Sequence, residues 1–145
     1  MISEFRGKYS FLSNFYSLHK PLRHRGIDYI TIEHFYIAMK TTDTDDRRKV
    51  ASHPLKGLKK FGRTLSLRHN WEDIKLEVME RGLRYKFSDK NKVLQRMLLR
   101  TKDLYIQEGN MWNDKFWGVC LKTGHGSNHL GKLLMKIRED IKDQV

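Results

Sequence analysis

The spacing of apolar residues changes several times along this chain, and each change predicts a different element. Near the amino end Phe5, Tyr9, Phe11, Phe15 and Tyr16 are interspersed with Gly7, Ser10, Ser13 and Asn14, a pattern of an ordered aromatic loop. From Pro21 to Ile32, alternation of Ile27, Tyr29 and Thr31 beyond Arg25-Gly26 predicts a short β-hairpin. Thr31 then suits the N-cap of a helix carrying Ile32, Phe35, Tyr36 and Met39. Thr42–Asp46 is a polar break, followed by a helix through Arg47, Val50 and Ala51 that stops before His53-Pro54. Pro54 is placed to open a short helix with Leu55, Leu58 and Phe61 inside and Gly62 as its stop. Trp71, Ile74, Val78, Met79, Leu83 and Phe87 form one apolar stripe, the clearest helix of the chain. Asn91–Arg100 predicts another, turning Val93, Leu94, Met97 and Leu98 inward. Thr101–Asn128 reads as irregular, and Leu130, Leu133, Leu134, Ile137 and Ile141 predict a final helix capped by Ser127 or Asn128. The expected fold is mainly α: a compact multihelical single domain over residues 1–145 with a small N-terminal β-hairpin.

Composition narrows the class. A chain of 145 residues, 39% hydrophobic and with only 2 prolines, is long enough for one substantial core and shows no linker. No run approaches the roughly 20 apolar residues of a membrane span. The opening Met-Ile-Ser-Glu-Phe-Arg lacks the apolar core of a signal peptide. Cys120 is the only cysteine, which rules out an internal disulfide and a Cys-rich metal site. These features predict a cytoplasmic protein. Lys and Arg number 29 against 17 Asp and Glu, a formal net charge of +12. Such an excess favours nucleic acid, nucleotides or phosphorylated metabolites as partners, and equally serves as a solvated, solubilising surface.

Three segments can carry chemistry. Glu33 and Lys40 are seven positions apart, which on a helix returns to nearly one face, with Tyr36 and Ile37 between them. Burial there could make the amine a nucleophile or the carboxyl an acid; the same spacing also fits a solvated helix face. Glu108–Gly118 concentrates Trp112, Asp114, Phe116 and Trp117 between glycines, suited to a base-stacking ligand site or to plugging the core from a loop. Gly124–Asn128 is a Gly-rich turn before a helix, either a phosphate cradle or an ordinary cap. His125 and His129 have no third ligand nearby, so no metal is expected; Cys120 is best read as a buried structural thiol. Lys56, Lys59, Lys60, Arg63 and Arg68, with Arg47, Arg48 and Lys49 upstream, are a basic cluster that could follow a nucleic-acid backbone or simply face solvent.

Taken in order, several motifs resemble the NADAR family, also called YbiA-like. They are Phe11-Leu12-Ser13-Asn14-Phe15-Tyr16, Glu33-His34-Phe35-Tyr36 through Lys40, Gly62-Arg63, Trp71 and Lys86-Phe87. They continue through Leu98-Leu99-x-Thr101, Glu108, Asp114-x-x-Trp117-Gly118, Asn128-x-Leu130-Gly131-x-x-Leu134-Met135 and Arg138. The resemblance implies a compact, mainly helical fold and an N-glycosidase without a cofactor, acting on ribose joined to nitrogen. Its substrate would be ADP-ribose on guanine in nucleic acid or a ribosylamino intermediate of riboflavin biosynthesis. It also implies that Glu33–Lys40 and Asp114–Trp117 meet in one pocket. Glu33, Lys40, Asp114 and Trp117 would be catalytic; Ser13, Asn14, Phe15, Tyr36, Arg63, Trp71, Gly118 and Asn128 would bind substrate. Ile37 and Cys120 depart from the glutamine and glycine common in relatives. The competing expectation is a non-catalytic module that binds ADP-ribose or a related nucleotide.

Overall fold

The computed structural model describes residues 1–144. In chain order it contains a 3₁₀ turn (Gly7–Leu12), β1 (Leu22–His24), β2 (Ile27–Tyr29), α1 (Ile32–Ala38), α2 (Thr44–Ser52), α3 (Leu58–Gly62), α4 (Trp71–Lys86), a 3₁₀ turn (Asp89–Asn91), α5 (Lys92–Leu99), β3 (Gly109–Asn110), β4 (Val119–Cys120) and α6 (His129–Gln144). The mainly helical expectation holds. Contacts divide the chain into two compact units: Asn14–Asn91, and Met1–Ser13 with the chain from Lys92 onward.

In the Asn14–Asn91 unit, β1 and β2 pair antiparallel with Leu22 opposite Tyr29 and His24 opposite Ile27. Arg25 and Gly26 both have positive φ (50° and 80°), the geometry of a two-residue hairpin turn. Every residue of α1 is buried, and it packs against α2, α3 and α4. Thr31 caps α1 as expected, accepting the His34 N–H at 3.1 Å. The His53 carbonyl can only accept, so His34 Nε2–H donates to it (2.7 Å), and Nδ1 of the neutral ring accepts the Thr31 hydroxyl proton (2.6 Å). Burial holds this histidine below its ordinary pKa, so it is a neutral core residue tying α1 to the end of α2. One boundary differs from expectation. The short third helix starts at Leu58, not Pro54: Gly57 adopts φ 79°, which interrupts the helix, and Leu55 is left at the surface.

In the other unit, α5 packs on the Gly7–Leu12 turn and on α6. Leu130, Leu134, Ile137 and Ile141 of α6 are buried as the stripe predicts, whereas Val93 of α5 is 51% exposed, contrary to its expected inward position. Arg138, buried on α6, donates to Thr101 Oγ1 and the Leu104 carbonyl, each at 2.9 Å. The stretch read as irregular contains β3 and β4, paired in parallel, an element too short for periodicity to reveal. Among the described residues no helix is long and apolar enough to cross a membrane.

Candidate active site

The Asn14–Asn91 unit brings together Glu33, Tyr36, Lys40 and Trp71. Glu33 is 8% exposed, Tyr36 7% and Trp71 4%, so the solvated-face reading of α1 is overturned. The helical argument for Glu33 and Lys40 also needs correction. α1 ends at Ala38, and Lys40 lies beyond it, its N–H bonded to the Ile37 carbonyl at 3.1 Å. The tight turn, rather than two full helical turns, aims the amine. Lys40 Nζ lies 5.6 Å from the Tyr36 ring centroid, and Tyr36 meets Trp71 edge to face at 5.0 Å. Burial lowers the Lys40 pKa; the Glu33 carboxylate opposes that shift, and Arg63, Lys59 and Lys75 add to it. The result is an amine with more unprotonated population than a surface lysine, beside a buried carboxyl group and two aromatic rings.

Asn14 supports this cluster from the side, its carbonyl accepting the Glu33 N–H at 3.0 Å. Its side-chain Nδ2 donates to Met79 Sδ at 3.5 Å, while the buried Oδ1 has no hydrogen-bond partner. A buried acceptor in that condition suits a substrate hydroxyl or N–H. Phe15 lies under Lys59, with Nζ 5.2 Å from the ring centroid. Arg63 is exposed at the end of α3, within electrostatic range of Lys40. Ile37, which departs from the family pattern, is 1% exposed and faces Gly62, where a Cβ would come within 2.9 Å of Ile37 Cγ2. It is therefore a core contact. Lys86 was not singled out by sequence reasoning except as part of a motif. It is completely buried, its ammonium 5.3 Å from the Phe87 ring centroid and 5.9 Å from that of Tyr16. Burial pushes its pKa down to about 7. A lysine within a helical stripe gives no local sign of such burial.

Ser13, Asp114, Trp117, Gly118 and Asn128 belong to the other unit. Ser13, half-buried, closes the first 3₁₀ turn by donating its N–H to the Ser10 carbonyl at 3.0 Å. Asp114 Oδ1 accepts the N–H groups of Phe116 (3.1 Å) and Trp117 (2.9 Å) and so shapes the loop that carries both rings. Asn110, another residue not singled out from sequence, holds this loop at three points. Its Nδ2 donates to Glu108 Oε2 and the Asp114 carbonyl, and its Oδ1 accepts the Asp114 N–H, all at 2.9 Å. Phe116 and Trp117 are perpendicular at 4.8 Å, and Phe116 also meets His129 at 4.5 Å. Trp112 is 59% exposed and does not plug the core.

The Gly124–Asn128 turn is not an open phosphate cradle. The N–H groups of Ser127, Asn128, His129 and Leu130 go to the carbonyls of Lys115, Gly118, Phe116 and Trp117, so the aromatic loop itself caps α6. Asn128 does not supply the side-chain cap expected of it: Oδ1 accepts the Glu108 N–H (3.0 Å) and Nδ2 donates to the Ile106 carbonyl (2.9 Å). Cys120 is buried in β4, in line with a structural thiol.

Comparison with known proteins adds to this geometry. Residues 3–142 match the family model for the NADAR domain. The chain is 35% identical over 136 residues to N-glycosidase YbiA of Shigella flexneri serotype 5b, covering 92% of this chain and 82% of that protein. N-glycosidase YbiA of Escherichia coli K12 is 36% identical over 124 residues, covering 83% and 76% of the two chains. A riboflavin biosynthesis protein of Vibrio vulnificus is 34% identical over 142 residues, 94% of this chain but 37% of that longer protein. The NMR structure of E. coli YbiA superposes with a TM-score of 0.83 at 32% identity, covering 99% of this chain and 86% of that one. With nearly the whole chain matched by the family model, and the fold shared with a solved relative, the chain belongs to the NADAR domain family.

Proposed function

We propose that this chain is an N-glycosidase that hydrolyses the bond between ribose and a nitrogen, with residues 1–145 acting as one NADAR domain. The observation that carries the reading is the Lys40 amine, its pKa lowered by burial, held beside buried Glu33 under the Tyr36–Trp71 pair. A passive binder of a polyphosphate gains little from a buried carboxylate, while ribose–nitrogen cleavage needs both an acid and a nucleophile. Relatives named N-glycosidases support the same class.

In the proposed reaction the unprotonated Lys40 amine attacks C1′ of the sugar as the C1′–N bond breaks. A carboxyl group delivers its proton to the departing nitrogen, and the carboxylate so formed takes the surplus proton of the attached amine. The C1′–O4′ bond then opens, O4′ taking that proton, and leaves the open-chain sugar as a protonated Schiff base on Lys40; water adds at C1′, the amine leaves, and the sugar is released. One water is consumed, and free base and free sugar are formed. Asp114 and Trp117 are carried as catalytic residues by the family resemblance alone. Division of the acid and stabilising roles between Glu33 and Asp114 is part of what the variants below decide.

For the substrate we favour ADP-ribose attached to guanine in nucleic acid. The exposed cations Lys59 and Arg63, both within electrostatic range of Lys40, suit a polyanionic substrate. The second reading, a ribosylamino intermediate of riboflavin biosynthesis, is favoured by the Vibrio relative's name. The test offers both substrates to wild type, Glu33→Ala and Lys40→Ala and scores free base and free sugar. Borohydride during turnover should fix the sugar to Lys40 as a secondary amine detectable by mass. Stoichiometric binding without release of base would refute the enzyme reading, and a fully active Lys40→Ala variant would refute the covalent step.

A further inference from the structure

The Asn14–Asn91 unit has a concave site of about 390 Å³ that shares no residue with the acid–amine cluster. It is built by the hairpin turn (His24, Arg25), the start of α2 (Arg47), the segment before α4 (Arg68) and one face of α4 (Glu77, Arg81). Four guanidinium groups therefore line one cavity, against a single carboxylate on the exposed side chain of Glu77.

Arg47 is the informative member. It is 8% exposed, and its only side-chain hydrogen bond among the described residues runs from Nε to the Thr41 carbonyl at 3.0 Å. The two Nη groups take no protein acceptor, yet they are not among the polar atoms sealed from solvent. Arg68 is braced, donating Nε to Asn70 Oδ1 at 3.0 Å and Nη1 to the Met39 carbonyl at 3.5 Å. Arg25 and Arg81 are exposed at the rim. The groups sense one another: burial and then the charges of Arg47, Arg81 and Arg25 hold the His24 pKa below its ordinary value. Like charges collected around a concavity, with the deepest one unpaired, cost stability unless an anion offsets them.

We propose that this cavity binds a phosphate monoester, with Arg47 as the deep contact and Arg68, Arg25 and Arg81 completing the cradle. A monoester dianion presents three terminal oxygens and up to two charges to several guanidinium forks, whereas a diester offers two oxygens and one charge. The volume is within the roughly 300–1,000 Å³ range of small-molecule sites, enough for the phosphate and part of the group that bears it. The inference does not depend on the glycosidase reading.

The test uses the whole chain and probes the rim locally. Arg25 and Arg81 are modified with phenylglyoxal and their peptides quantified by mass spectrometry, with AMP, adenosine or a 5′-hydroxyl oligothymidylate present at matched ionic strength. AMP should protect both arginines; adenosine should not, and the oligothymidylate should protect far less. Calorimetry should show AMP affinity lost about tenfold in Arg81→Ala, the scale of one charge-assisted contact. Arg47→Met should abolish it. Because Arg81 is exposed on a helix that tolerates alanine, that variant keeps the test decisive even if Arg47→Met fails to fold. Equal protection by adenosine, no protection by AMP, or protection by the diester matching that of AMP would each overturn the proposal. Affinity unchanged in Arg81→Ala would do the same.

Discussion

Replacing Lys86 with methionine should remove a specific part of the protein's pH dependence of stability. Lys86 is completely buried, and its pKa falls from 10.5 to about 7 on folding. Between those values the unfolded chain holds a proton that the folded chain has released, so stability must rise as pH rises through this window. Below pH 7 both states are protonated and the folded state bears the whole penalty. A displacement from 10.5 to about 7 corresponds to about 5 kcal/mol. Between pH 7 and 9 linkage returns roughly 2 kcal/mol of that to the wild type. Methionine keeps the length and polarisability of the side chain but discards the ammonium, and with it the contacts to Tyr16 and Phe87, worth on the order of 1 kcal/mol each. The expected result is a stability difference between the two proteins that moves by roughly 2 kcal/mol in favour of the wild type between pH 7 and 9. Urea unfolding of both proteins at pH 6, 7, 8 and 9 measures this, and every other titrating group cancels in the difference. Curves that run parallel within about 0.5 kcal/mol would refute the reasoning, because Lys86 would then carry no folding-linked proton.

Four further outcomes follow from named contacts. If Lys40 is the nucleophile, kcat at saturating substrate should rise with pH through an apparent pKa below 10.5, since burial favours the unprotonated amine, and Lys40→Arg should abolish turnover while leaving the thermal midpoint nearly unchanged. Asp114→Ala should cost about 2 kcal/mol by denaturant titration, because two loop N–H groups lose their acceptor; Asp114→Asn retains an Oδ1 acceptor and should keep most of that stability while losing activity if the charge matters. Gly118→Ala should destabilise by about 3 kcal/mol, since its Cβ would collide with the Glu108 carbonyl and Oε2 and with Asn110 Nδ2 at 2.8 Å; a well-folded variant with unchanged midpoint would contradict this packing. Thr31→Ala should lower stability by about 1 kcal/mol or more through loss of the α1 cap and the His34 bond, and Thr31→Ser should restore most of it.

Local chemistry was enough for much of the fold. The α4 and α6 stripes, the Thr31 cap and the Arg25-Gly26 turn each depend on residues within a few positions, and each formed where the pattern placed it. Position by position, local patterns were weaker: Val93 satisfies the α5 periodicity but faces solvent, and Gly57 moved a helix start that Pro54 suited. Parallel pairing of β3 with β4 has too few residues to leave any period.

For the candidate site the division is sharper. Sequence alone, through the ordered motifs, identified Glu33, Lys40, Asp114 and Trp117 as the residues to follow, but their spacing could not distinguish a buried cluster from a solvated face. Tertiary packing decided that. It buried all of α1, ended the helix before Lys40, and set the amine near the Tyr36 ring in a position whose burial lowers its pKa. It also showed that the Asp114 carboxylate organises its own loop and that this loop, rather than Asn128, caps α6. Sequence marked only Arg47 and Arg68 of the arginine cavity, within a wider basic cluster, because its members come from a turn, two helices and a connecting segment separated by up to 57 positions, from His24 to Arg81. Periodicity reports which side of an element is apolar; only the fold brings distant charges close enough, and dry enough, for their electrostatics to acquire chemical consequences.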